Sequence, residues 1–175
     1  MLQVSKTVTI LRPRDVLYQF WRDLENLPRI MQHVESVRAH DPQRSHWVVK
    51  APAGQNVEWD AEIIADEPGQ RLSWHTLAGS DIQHQGTVEF RDAPGDRGTE
   101  VEVSLEYDAP AGKAGKTVAA LLGEEPEGQL RDDLRRFKQV METGEVVLSD
   151  GSPDGAGQGA TKQRAAQPMG TEVRA

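Results

Sequence analysis

The chain has 175 residues, no cysteine and a formal net charge of −8. Those figures exclude disulfides, thiolate metal sites and cysteine nucleophiles, and they leave no basic stripe to displace counterions from nucleic-acid phosphates. The length suits one domain that buries about two-thirds of its unfolded surface without a staple.

An anionic membrane surface would repel this charge on average. No apolar stretch approaches the roughly 18 residues of a transmembrane helix, so no integral membrane segment is expected. The N-terminal MLQVSKTVTILRPRD alternates instead of running apolar as a signal peptide does, and the expected location is the cytoplasm.

Val4, Val8 and Ile10 alternate with Ser5, Thr7 and Thr9, which predicts a first strand with one buried face. Pro13 suits the first turn of a helix. Val16, Phe20, Leu24 and Leu27 follow at helical spacing, joined by Leu17 and Trp21, until Pro28 interrupts, predicting two short helices over about 13–23 and 26–31.

Period two then dominates. Trp47 and Val49; Val57, Trp59, Ala61 and Ile63; Leu72, Trp74 and Thr76; Ile82, His84, Gly86, Val88 and Phe90; and Val101, Val103, Leu105 and Tyr107 each alternate with largely polar residues. The pattern predicts an antiparallel sheet with one face open to water. Turn signals at 52–54, 67–69, 78–79 and 94–96 predict hairpin links and a meander.

Beyond Tyr107, Pro110 and Gly112 mark a loop, and Val118, Leu121 and Leu122 suggest a short helix. Leu130, Leu134, Phe137 and Met141 form one apolar stripe on a helix of about 126–143, opened by Pro126 and stopped by Gly144. Glu127/Arg131, Asp132/Arg136 and Lys138/Glu142 place opposite charges at i,i+4 on its wet side, and Asp133 and Arg135 read as surface charges too. The domain therefore spans 1–144. The Gly/Ala-rich remainder, 145–175, has too little apolar surface to offset its ordering entropy and is expected to be disordered.

The fold class is α+β: a curved antiparallel sheet wrapped around a long C-terminal helix, a helix grip. Such a curve leaves a volume that side chains need not fill. Trp47, Trp59, Trp74 and Tyr107 share the apolar face, with Phe90 and Phe137 nearby, and buried indole and phenol groups need polar partners. A pocket holding ligand or water supplies them; a plain aromatic core is the alternative.

The segment from Pro13 through Phe20-Trp21-Arg22-Asp23-Leu24-Glu25-Asn26-Leu27-Pro28-Arg29-Ile30-Met31 resembles the opening of the polyketide cyclase/dehydrase branch of the START and Bet v 1-like (SRPBCC) superfamily. Trp47–Lys50, Val57–Glu62 and Gly86–Phe90 resemble its central strands, Gly98–Val101 the turn into its last strand, and Asp132–Lys138 its closing helix. The resemblance covers about residues 1–144 and includes START-type proteins that bind coenzyme Q. It implies a pocket between sheet and helix for lipids, quinones or polyketides. It supplies no catalytic motif that transfers residue by residue.

The expected ligand-binding residues are Trp47, Trp59, Trp74, His84, Phe90, Tyr107, Leu134, Phe137 and Met141. His84 points inward by parity and is the one candidate general base; a histidine bonded to a loop carbonyl is the bland alternative. No two histidines sit at i,i+4 on a helix, so no metal site and no cofactor are expected. Gly112-Lys113-Ala114-Gly115-Lys116-Thr117 ends like a phosphate loop, but Pro110 stands where its first glycine belongs, and it reads as a solvated loop.

The leading reading is a protein that binds a hydrophobic small molecule and does not bind nucleic acid, its pocket apolar with few convergent polar groups. The alternatives are a cyclase or dehydratase using the same cavity, and a non-catalytic interaction module with a filled core.

Overall fold

In chain order, the computed structural model places β1 at Leu2–Ile10, α1 at Arg14–Arg22, a 3-10 helix at Leu24–Arg29, β2 at Val34–Ala39, β3 at Arg44–Lys50 and β4 at Asn56–Glu67. β5 (Arg71–Thr76), β6 (Gln83–Asp92), a short 3-10 turn at Pro94–Asp96, β7 (Thr99–Asp108) and α2 (Pro126–Thr143) follow. The structure describes residues 2–50, 56–80, 82–108 and 125–144. The expected turn at 52–54, the loop at 110–117, the short helix near 118–122 and the tail at 145–175 lie outside the described residues.

All seven strands form one antiparallel sheet in the order β1-β7-β6-β5-β4-β3-β2. Strands β3 to β7 are the expected meander, β2 extends it by one strand, and β1 closes on β7 from Leu2↔Tyr107 to Ile10↔Thr99. The alternation read from the sequence is the burial pattern of the sheet: Trp47, Trp59, Trp74, His84 and Tyr107 are buried on one face, while Glu58, Asp60 and Glu89 face water or half-face it.

β2 is an addition to the sequence reading. Its residues VESVRA bury Val34 and Val37, three apart, because a register shift between Val34 and Ser36 breaks the period of two. A second shift between Ile63 and Ala65 leaves Ile64 46 % exposed.

The N-terminal helices differ in detail from expectation. Val16 is 43 % exposed, while Leu17, Phe20 and Trp21 are buried as expected and Tyr18 joins them. The second segment is a 3-10 helix over Leu24–Arg29 that contains Pro28, with the Asp23 carboxylate accepting from the Glu25 amide at 3.2 Å. Its tighter turn fits a short connector with a proline inside.

α2 matches its predicted bounds, and Gly144 ends it in the left-handed conformation at φ 85°. It packs along β1: the Lys138 ammonium donates to the Thr9 carbonyl at 2.6 Å, and the Leu11 amide donates to Glu142 at 2.8 Å. Its buried residues are Leu130, Asp133, Leu134, Phe137 and Val140, so the stripe turns through Asp133 and Val140, and Met141 is only half-buried. Of the expected i,i+4 pairs, Lys138–Glu142 forms at 3.0 Å. Glu127 instead reaches Lys6, Asp132 reaches Arg135, and Arg136 reaches Asp133.

Candidate functional site

Between the buried face of the sheet and the first half of α2 lies a narrow, nearly closed cleft whose free volume is about 20 Å³, room for about one water molecule. Trp47, Trp59 and Trp74 form one wall, with Met31, Val34, Val49, Leu105 and Leu130 around them. Cross-strand register builds this wall, because Trp47 lies directly opposite Trp59 in the β3–β4 pair. The rings of all four tryptophans run in one stack, Trp21–Trp74–Trp47–Trp59, with centroids 5.9, 6.2 and 5.9 Å apart and planes within 26° of parallel. Trp74 can lie flat because Gly86 is its β6 neighbour: a Cβ there would stand 2.3 Å from the indole.

His84 sits edge-on to Trp47, Trp59 and Trp74, and stacks face-to-face on Tyr107 at 4.6 Å. Burial in this aromatic surround pulls its pKa down to about 3, so the ring is neutral, with one donor and one acceptor nitrogen. Neither nitrogen has a hydrogen-bond partner among the described residues, nor do the indole N–H groups of Trp59 and Trp74. Trp47 differs, donating to the Ser45 hydroxyl at 2.9 Å. Leaving such buried groups unpaired costs about 1–3 kcal/mol each. Burial also pushes the Tyr107 hydroxyl well above its ordinary range.

The helix side of the cleft is polar. Asp133 is 2 % exposed, and its carboxylate accepts from the Arg136 guanidinium at 2.7 Å. Arg136 is itself fixed by donating to the Ile30 carbonyl at 2.9 Å. Desolvation outweighs the arginine and raises the Asp133 pKa to about 7. Gln129 Nε2 lies 3.0 Å from His33 Nδ1, which accepts because burial and Arg136 hold His33 neutral, with a pKa of about 4.

Of the residues expected to bind ligand, the cleft brings together Trp47, Trp59, Trp74, His84 and Tyr107. Phe90, Leu134, Phe137 and Met141 do not line it. Phe90 meets Tyr18 edge-on at 6.3 Å, while Phe137 packs on Phe20 and Trp21 at 5.3 and 5.8 Å. The reason is the course of α2: Gln129, Leu130 and Asp133 face the cleft, and the following turns cover α1 and β1.

Two expectations are corrected here. Asp133 is a buried wall residue, not a surface charge, and the lining carries four ionisable groups, His33, His84, Tyr107 and Asp133, where few convergent polar groups were expected, which counts against a purely apolar carrier pocket. The signal for Asp133 was present: it stands three residues after Leu130 and four before Phe137, on the stripe itself.

Among the described helices, none is long and apolar enough to cross a membrane. Comparison with known proteins agrees with this architecture. The DR_A0006 protein of Deinococcus radiodurans is 46 % identical, with 83 % of this chain and all of that chain covered and a TM-score of 0.70. An uncharacterized 17.2 kDa protein from the melC2-rnhH intergenic region of Streptomyces lincolnensis is 28 % identical over 144 residues, 81 % of this chain and 91 % of its own. A START superfamily protein of Mycobacterium smegmatis, 19 % identical, shares the fold over 79 % of this chain and 98 % of its own, at a TM-score of 0.59. Residues 10–135 match the family described as polyketide cyclase / dehydrase and lipid transport, and the chain belongs to that family.

Proposed function

We propose that the cleft, nearly closed in this structure, widens to bind a flat, hydrophobic small molecule bearing an oxygen function, of the lipid, quinone or polyketide kind. The observation that carries this reading is the tryptophan stack flanked by a neutral His84 whose two nitrogens have no protein partner among the described residues. Indole walls favour a planar apolar body. A hydroxyl or carbonyl placed against His84 would satisfy groups that are otherwise buried unpaired, and that difference favours an oxygenated ligand over a plain hydrocarbon.

A second reading has its own support. Asp133, with a pKa near 7, and neutral His84 line one cleft, and such a pair suits proton transfer in a cyclisation or dehydration of the bound molecule. Asp133 would give or take the proton, and His84 would orient the oxygen.

One experiment separates the readings: the purified protein is exposed to an organic extract of its source cells, and retained small molecules are identified by mass spectrometry. A Met31→Trp variant, which fills the cleft, and a His84→Phe variant, which removes the polar anchor, serve as controls. Retention by the parent and loss from both variants is the expected result. A retained compound that differs from its form in the extract by loss of water favours the enzyme reading, and Asp133→Asn would then abolish the change. Equal retention by all three proteins, or none by the parent, would overturn the cleft as a binding site and leave a filled core.

A further inference from the structure

The outer face of the same sheet carries a second constellation. β3 and β4 pair His46 directly with Asp60, and β2 and β3 pair Arg38 with His46, which puts His40 on the same face one pair further along. The His40 amide extends that ladder by donating to the Arg44 carbonyl at 2.9 Å. Side chains that are opposite or diagonal across strands are within reach of one another. His46 Nδ1 lies 2.9 Å from Asp60 Oδ1, and His40 Nε2 lies 3.7 Å from the same oxygen. One ligand atom from each of the three residues falls within 4.8 Å of the others. It is the cluster of this kind found among the described residues, and it was missed in the sequence because its histidines are brought together by strand register, not by helical spacing.

We propose that His40, His46 and Asp60 bind one divalent transition-metal ion of the zinc, nickel or copper class. Bonds of about 2.1 Å from imidazole nitrogen and carboxylate oxygen place cis ligand atoms about 3.0–3.4 Å apart. The two separations to Asp60, 2.9 and 3.7 Å, straddle that span, and rotation of the exposed His40 ring would be needed to close the set on one ion. Two imidazoles and one carboxylate suit these borderline ions and not magnesium or calcium, which take oxygen ligands.

The surroundings of His46 add an independent argument. Its other nitrogen, Nε2, lies 2.8 Å from Glu58 Oε1. A metal-bound histidine characteristically donates its second N–H to a carboxylate, which fixes the ring and strengthens the bond to the metal. Coordination at Nδ1 releases that nitrogen's proton to solvent and leaves the Nε2–H on Glu58. The His40 and Asp60 side chains are 56 % and 52 % exposed, so the ion keeps open positions for water or for a ligand from a partner.

The test is titration of the untagged, chelator-treated full chain with zinc by calorimetry and with cobalt by visible absorption. The expected result is saturation at one equivalent. His40→Gln and Asp60→Asn abolish it, and Glu58→Gln, which leaves the three ligands in place, weakens it about tenfold or more. His75→Gln, another carboxylate-paired histidine on this face, leaves it unchanged. Circular dichroism confirms that the variants fold. Absence of saturation, binding that persists in His40→Gln and Asp60→Asn, or an equal loss in His75→Gln would overturn the proposal.

Discussion

His46 and His84 are the same residue type on opposite faces of one sheet, and their surroundings shift their pKa values in opposite directions. Outside, His46 has Glu58 and Asp60 on its two nitrogens, and those hydrogen bonds raise its pKa. Inside, His84 has four aromatic rings and no acceptor among the described residues, and desolvation keeps it neutral. On the outer face a polar side chain can always fall back on water, so pairing adds little. On the inner face the rings decide both packing and chemistry, and polar atoms are left waiting for a partner.

The strongest way to break this contrast is to compare neighbours on β5. Trp74→Ala removes a fully buried indole from the stack and should cost about 3–5 kcal/mol of stability in urea denaturation. His75→Ala, one residue on, removes a half-exposed pair with Glu62 and should cost about 0–1 kcal/mol. Equal costs would mean that the stack contributes nothing to the core.

A pH series sharpens the comparison. Below pH 6.5, His33 and His84 gain protons in the unfolded chain but stay neutral when folded, while Asp133 holds a proton when folded that the unfolded chain has released. The unfolded state thus binds one proton more, and stability falls by about 1.4 kcal/mol per unit as pH drops from 6 to 5. His84→Phe removes one of the two histidine contributions and should flatten that slope. A slope unchanged in the variant would show that His84 titrates normally.

The smallest effect is also the most telling. At pH 7, His84→Phe replaces two unpaired nitrogens with apolar edges and keeps a ring on Tyr107, so it should stabilise the protein by about 1 kcal/mol, read as a higher urea midpoint. Such a gain would mark the parent histidine as retained for something other than folding.

Much of the fold was legible because the sheet has two unlike faces. Where one side is wet and the other buried, period two is written into β3 through β7, and parity alone places His84 and the tryptophans correctly. β2 escaped because a bulge breaks its period, and its two buried valines fall three apart. The cleft was harder to read. Periodicity says which residues point inward, not where along the helix the inward space ends, so Phe137 was expected at the ligand when it seals Phe20 and Trp21. Asp133 was misread for a related reason: a charge was taken to imply water, although its neighbours on the stripe are apolar and Arg136 is at hand to pair with it.

Gly86 carries a consequence for how this cleft could diversify. The wall is set back by the width of a methyl group, because the strand behind Trp74 has no side chain to push against it. Any side chain at that position would drive the indole toward the helix and shrink the space in front. The capacity of the cleft is thus adjustable from behind its own wall, at a position outside the lining, so relatives with similar linings can still differ in the ligands they admit.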